Sequence, residues 1–321
     1  MAERSIVDQL DDAVAAIVAG RQLDSTNVAP EVLAFVDVAR DLVGLPRETF
    51  KVELKKQLAK ESEAMSKPKK AVPPRENFHT VTPYFTVKDP AGLIDFVKQS
   101  FGAIEHFRTT GSAGGMHAEV LIGDSIVMIG GAEHIEAKPA VIHLYVPDVD
   151  EAYERAIKAG GKSLMPVEDM PYGERSGGVE DVHGNRWYIA TTFVPLQSIA
   201  EDLHTVTVYF HPIGAERFID FLTNAFNGKE LMRHKEGERI AHAKVQIGDS
   251  VIELSEARSP EQPLPPAIYL YVDDVDAMYE QALKAGGTSM LPPTNQAYGD
   301  RSAWIKDPFD NVWYLAAPAK S

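Results

Sequence analysis

The spacing of apolar residues changes period along the chain, and each change marks an element. Ile6, Leu10, Val14 and Ile17 share one helical face, and Leu33, Phe35 and Val36 share another. Phe50, Leu54 and Leu58 recur at four-residue steps behind Pro46, which suits a first helical turn. Residues 1–65 are therefore expected to form a small three-helix bundle. Residues 66–78, proline-rich and basic from Ser66 to Arg75, read as a semi-extended linker. The period then shortens to two, and 80–87 alternates as a half-buried strand does. Asp89 and Pro90 open a helix that carries Leu93, Phe96, Val97 and Phe101 on one face and stops at Gly102. Strand patterns return at 104–109, 116–122 and 125–129, separated by glycine-containing turns. The same sequence of strand, helix and three strands then runs again, with a strand at 143–146, a helix over 148–159 and strands near 163, 177–180 and 187–191.

This whole pattern occurs twice. His79-Thr-Val-Thr-Pro-Tyr-Phe matches His204-Thr-Val-Thr-Val-Tyr-Phe, and Ile122-Gly-Asp-Ser matches Ile247-Gly-Asp-Ser. Val146-Pro-Asp-Val-Asp pairs with Val272-Asp-Asp-Val-Asp, Lys158-Ala-Gly-Gly with Lys284-Ala-Gly-Gly, and Tyr172-Gly-Glu-Arg-Ser with Tyr298-Gly-Asp-Arg-Ser. Motifs that hold register over so long a span imply duplication of a domain rather than of a short repeat. Two consecutive domains of one α+β fold, 79–193 and 204–317, are expected, packed together as an internal pseudo-dimer.

Composition narrows the chemistry. With 321 residues, 44% of them hydrophobic, the chain can bury two cores. It has no cysteine, which removes disulfides, thiolate nucleophiles and iron–sulfur clusters. A formal charge of −15 argues against a nucleic-acid partner. The acidic start and the lack of a long apolar run argue against a membrane partner and for a cytoplasmic protein. No glycine-rich phosphate loop, Gly-x-Ser-x-Gly elbow or His-Glu-x-x-His run is present.

A doubled strand–helix–three-strand unit closing on Asp181-Val-His-Gly-Asn-Arg-Trp and Asp307-Pro-Phe-Asp-Asn-Val-Trp resembles the vicinal oxygen chelate superfamily of glyoxalases, bleomycin-resistance proteins and dioxygenases. Phe101-Gly-Ala, His117-Ala-Glu-Val-Leu-Ile-Gly-Asp-Ser and Tyr172-Gly-Glu-Arg make it most similar to the PhnB-like group. The resemblance implies tandem domains, each of two βαβββ modules that face each other around a cup. In metal-using relatives four strand positions converge on the cup floor. They correspond to Thr82, Met128, Val141 and Tyr188 in the first copy and to Thr207, Glu253, Ala267 and Tyr314 in the second. Glu253 alone bears a ligand-type side chain, so no metal and no cofactor are expected.

Alternation places Thr82 with Tyr84, and Thr207 with Tyr209, on the cup face. Tyr188 and Tyr314 would set phenols where a metal would sit, a lining suited to flat or cationic organic molecules. His117 and His242 occupy equivalent strand positions and offer a base or a hydrogen-bond donor. Arg175 and Arg301, which follow Tyr172 and Tyr298 in rim loops, could clamp a carboxylate or instead pair with Asp181 and Asp307. Glu253 makes the second copy the favoured working site, with Arg301 or Tyr314 as its nearest expected partner. The expected function is non-metal binding, or sequestration, of a cationic or aromatic small molecule. Two alternatives stand beside it: a metal-dependent lyase, isomerase or dioxygenase working from the second domain only, and a partner-binding module with vestigial cups.

Overall fold

The computed structural model describes residues 75–111, 114–193, 203–260 and 262–319, with Ala16 alone before them. The helical bundle and most of the linker read from the sequence lie outside the described residues. The first copy runs β1 (Val81–Thr86), α1 (Pro90–Phe101), β2 (Ile104–Thr110), β3 (Met116–Ile122), β4 (Ser125–Gly131), β5 (Val141–Tyr145), α2 (Val149–Lys158), β6 (Lys162–Met170), β7 (Glu174–Glu180) and β8 (Arg186–Thr192). The second repeats it as β9 (Val206–Phe210), α3 (Ala215–Phe226), β10 (Lys229–Glu236), β11 (Arg239–Ile247), β12 (Ser250–Leu254), β13 (Ala267–Tyr271), α4 (Val275–Lys284), β14 (Thr288–Asn295), β15 (Asp300–Lys306) and β16 (Val312–Pro318). Local chemistry sets the helix ends as expected. Asp89 accepts from the Gly92 amide, Pro90 opens α1, and Gly102 closes it at φ 68°.

The main hydrophobic core is one continuous cluster that runs through both copies, and in each it gathers around a tryptophan. Trp187 stacks on Phe85 at 5.2 Å and packs against Phe96 and Phe101 of α1. Trp313 does the same with Phe210 and Phe226. The motif that marked the resemblance turns out to anchor these indoles. Asp181 accepts the Trp187 Nε1 proton at 2.9 Å, both nitrogens of Asn185 and the His183 amide. Asp307 repeats all of this around Trp313. Asp310, which replaces a glycine, simply adopts the left-handed turn at φ 67°.

The sheets belong to neither copy. One has the order β14-β15-β16-β13-β1-β4-β3-β2, the other β10-β11-β12-β9-β5-β8-β7-β6. β1 pairs antiparallel with β13 and β5 with β9, so each sheet joins the first module of one copy to the second module of the other. This corrects the expectation that a copy's own two modules share a cup. The joint is sealed by the repeated His-Thr and Gly-Asp-Ser motifs. Asp249 accepts the Thr80 amide and Asp124 the Thr205 amide, both at 2.8 Å, while Ser250 and Ser125 accept the next amide along. Gly123, at φ 60°, brings its backbone within reach of Thr205, and a Cβ there would lie 2.3 Å from the threonine hydroxyl. His79 and His204 stack across the joint with centroids 3.4 Å apart. Although His79, Asp124 and His204 offer ligand atoms within 4.8 Å of one another, parallel rings cannot both aim lone pairs at one ion. Among the described residues no helix is long and apolar enough to cross a membrane.

Candidate functional site

Helices α1 to α4 cover one face of the strands, and the opposite face is nonetheless buried at Met128, Tyr271, Glu253 and Ser302. The inner faces of the two sheets, where the superfamily resemblance places its cups, carry two different linings. The tyrosine cup combines β1–β4 with β13–β16. The charged cup combines β9–β12 with β5–β8.

In the tyrosine cup, Tyr84 meets Tyr314 edge-on at 5.6 Å and tilts against Tyr269 at 5.9 Å. Trp304 stands edge-on to Tyr314 at 5.4 Å, and its buried Nε1–H has no hydrogen-bond partner. Burial among other phenols pushes the Tyr84 hydroxyl up to about 12, so it stays a donor at neutral pH. His117 stacks on Tyr84 at 5.8 Å and reaches toward Glu119. Tyr298 is exposed at the rim, and Thr82 turns its hydroxyl back onto the His79 carbonyl at 2.8 Å.

The charged cup is built around Glu253, 1% exposed. The His143 imidazole donates from Nδ1 to its carboxylate at 2.5 Å, and the Lys244 ammonium lies 3.0 Å from its other oxygen. Burial alone would raise the carboxyl's pKa, but His143, Lys244 and His242 more than reverse this and hold it well below the usual range. Burial would likewise depress His143, and the Glu253 and Glu174 carboxylates instead raise it. Its Nε2 lies 3.6 Å from Glu174, which also accepts the Tyr145 hydroxyl at 3.1 Å. Tyr209 reaches His242 Nδ1 at 3.2 Å and faces Tyr188 at 6.1 Å. His211 bonds Ser255 and is lowered to about 4 by burial and by Arg186 and Arg258, so its ring is neutral. Thr207 bonds the His204 carbonyl, and Tyr172 is exposed at the rim.

The structure thus divides the residues singled out in the sequence. Thr82, Tyr84, His117, Tyr298 and Tyr314 line one cup, and Thr207, Tyr209, His242, Glu253, Tyr172 and Tyr188 line the other. Arg175 and Arg301 lie on the helix side of their strands. Arg175 is held by Asp150 at 2.7 Å and Asp169 at 2.8 Å, and Arg301 by Asp276 and Asn295. Neither pairs with Asp181 or Asp307, because the tryptophan indoles, asparagines and turn amides occupy those carboxylates. Glu253 meets neither Arg301 nor Tyr314, since both belong to strands of the other sheet. His143, Tyr145, Glu174 and Lys244, and in the tyrosine cup Glu119, Tyr269, Tyr271 and Trp304, do not stand out in the sequence, whereas His211 shares the face of Thr207 and Tyr209 by alternation. Strand alternation continued from His117 to Glu119, and from Val141 to His143, would have found them.

A model of the Glyoxalase/Bleomycin resistance protein/Dioxygenase superfamily matches residues 78–189 and again 214–315. The chain belongs to this superfamily. An uncharacterised protein of Mycobacterium bovis is 34% identical over 120 residues, covering 33% of the chain and 79% of that protein. Glyoxalase I from Zea mays superposes with a TM-score of 0.58 at 16% identity, over 75% of this chain and 92% of that one. A putative dioxygenase from Bacillus subtilis gives 0.51 at 14% identity, over 77% and 86%. At such identities the two structures speak for the fold alone.

The metal positions implied by the superfamily recombine across the copies into Thr82, Met128, Ala267 and Tyr314 in one cup and Thr207, Glu253, Val141 and Tyr188 in the other. Neither set fits a transition metal. Glu253 is the one carboxylate among them, and Lys244 already supplies the positive charge that a metal would bring to it.

Proposed function

We propose that this protein binds a flat organic molecule in the tyrosine cup without a metal. The observation that carries the reading is the Trp304 indole N–H, buried and unpartnered beside Tyr84, Tyr269 and Tyr314. A buried donor without an acceptor costs about 1–3 kcal/mol, a cost that a ligand acceptor would relieve. Ring faces and edges on several sides supply the stacking surface for a planar guest. The charged cup also holds buried atoms without a hydrogen bond, Glu174 Oε2 and His211 Nε2, but its ion pairs neutralise one another around Glu253 and it offers less aromatic surface to a planar guest.

Trp304 also provides the test. Of the three tryptophans, Trp187 and Trp313 are sealed in the core, so a guest in the cup acts on Trp304 fluorescence first. A neutral flat probe such as nitrobenzene should quench it saturably and raise the melting temperature, with and without EDTA. Trp304→Phe should remove the saturable quenching. Quenching that is linear in probe, or that needs added metal, would refute the reading.

A second reading has one specific support. His143 is held between the Glu253 and Glu174 carboxylates, an arrangement able to hold and pass a proton, and so the charged cup could serve acid–base chemistry on a substrate entering past Tyr172.

A further inference from the structure

The tyrosine cup carries two carboxylates among aromatic rings. Glu119, 5% exposed, sits on β3, and Asp300, whose pKa is raised by burial, begins β15. Aromatic faces together with buried carboxylates form a receptor for an organic cation. That receptor already holds a cation from its own chain. Arg75 donates from Nη1 and Nη2 to the two Glu119 oxygens at 2.8 and 2.7 Å, a bidentate fork. Its guanidinium carbon stands 4.3 Å above the Phe78 ring. Phe78, 4% exposed, in turn packs edge-on to Tyr271 at 5.8 Å and joins Met128, Ile126 and Ala316 on the inner face.

The other cup has nothing equivalent at these positions. The position of Phe78 is taken by Leu203, and the position of Glu119 by Lys244. The cation site is therefore peculiar to one cup and is not a by-product of the shared fold. Arg75 lies beside Tyr271 of β13 as well as Glu119 of β3, yet it is not part of either strand. Its side chain is half exposed and reaches in from the segment before β1, whereas Glu119 is almost wholly buried. A buried carboxylate whose two close hydrogen bonds come from a long, half-exposed side chain, with the His117 ring nitrogen 3.7 Å away to share its charge, has a partner that can be exchanged.

We propose that Glu119 is the cation-recognition group of the tyrosine cup, that Arg75 occupies it in place of a ligand, and that the ligand is a planar amidinium or guanidinium borne on an aromatic ring. The proposal rests on the reading of the tyrosine cup as the binding site and adds the charge of its guest. Binding exchanges one fork on Glu119 for another. The ligand's ring takes the surface beside Tyr84 and Trp304, and Arg75 swings out to solvent.

Benzamidine is the probe, titrated calorimetrically into the full chain. Arg75→Ala should bind it at least tenfold more tightly than the unaltered protein, and Glu119→Gln added to Arg75→Ala should lose that gain. Equal affinity before and after removal of Arg75, or a gain that survives Glu119→Gln, overturns the proposal. If Arg75→Ala fails to fold, the unaltered chain still answers. Saturating benzamidine should accelerate hydrogen exchange at the Phe78 amide, which is bonded to the Arg75 carbonyl at 3.3 Å, and unchanged exchange overturns the proposal. Saturable nitrobenzene quenching of Trp304 that persists while benzamidine shows no preference would sink the cation assignment and leave the aromatic cup standing. Failure of both probes would remove both.

Discussion

The two cups occupy equivalent places on one duplicated frame and keep a threonine, a histidine and several tyrosines in common, yet they differ at the positions that set their charge. Where one has Met128, Glu119, Tyr269, Asp300 and Trp304, the other has Glu253, Lys244, His143, Glu174 and Gly178. The surroundings of Trp187 and Trp313, by contrast, are near copies, down to the aspartate that receives each indole proton. The difference follows from which surfaces each copy owns. The ring contacts of each indole come from its own copy, Phe85, Phe96 and Phe101 around Trp187 and Phe210 and Phe226 around Trp313, so a substitution there is met within that copy. A cup takes half its lining from each copy, so a change such as methionine to glutamate alters one cup and leaves the other untouched. Duplication thus gives a rigid frame with two linings free to diverge, one toward aromatic surface and the other toward an ion network.

The sharpest break between the cups should be energetic. Glu253→Gln leaves the His143 imidazolium and the Lys244 ammonium without their shared carboxylate, and breaking a buried pair in this way costs about 3–5 kcal/mol. Met128→Leu at the equivalent position keeps volume and polarity and should cost less than about 1.5 kcal/mol. Urea denaturation of both variants measures the contrast. A mild effect of Glu253→Gln would return that carboxylate to the role of an unpaired ligand contact.

Next in size is a pH dependence above pH 6 that centres on the charged cup. The folded pKa of His143 lies above its ordinary 6.5, so its contribution to stability is complete below that value and fades as the pH rises through the folded pKa. Glu253 is shifted downward, so its contribution is complete above 4.5 and fades as the pH falls toward its folded pKa. Together they favour stability most between about 4.5 and 6.5. Between pH 6 and 9 the His143 contribution should fall while those of His211 and His242, whose lowered values favour neutral rings, rise, so His143→Gln should melt relatively closer to the unaltered protein at pH 9 than at pH 6. A profile that is unchanged in the variant would show that His143 folds as the neutral ring. Tyr269, its counterpart in the tyrosine cup, does not titrate in this range.

How much of this was legible in the sequence depends on whether the signal was local. Helix caps, strand alternation and the two indole-anchoring turns could be read directly, because each is decided within a few residues. The exchange of modules between sheets could not. β1 and β9 begin with the same His-Thr-Val-Thr, so nothing in the pattern of β5 says which of the two it will pair with. The choice is made by the carboxylates of Asp124 and Asp249, which reach across to the strand start of the opposite copy. The cup residues were half legible for a different reason. Tyrosines on β1 and β8 followed from alternation, but Lys244 gives no hint of lying beside Glu253 until β11 and β12 are in register.

The arginines give the smallest expected effect, and strand parity alone decides it. Arg175 lies between Glu174 and Ser176, which are buried on the inner face, so its side chain must emerge on the helix side, where Asp150 of α2 receives it. Arg301 is placed in the same way between Asp300 and Ser302, with Asp276 of α4 as its partner. Both ion pairs are open to solvent, where attraction is screened and the cost of ordering two side chains offsets most of the gain. Arg175→Ala and Arg301→Ala should therefore melt close to the unaltered protein and far above Glu253→Gln. Neither should change the quenching of Trp304 by nitrobenzene. A selective loss of quenching in Arg301→Ala, with the fold intact, would mean that the rim loop at Tyr298 closes over the guest and that the tyrosine cup extends beyond the face its strands define.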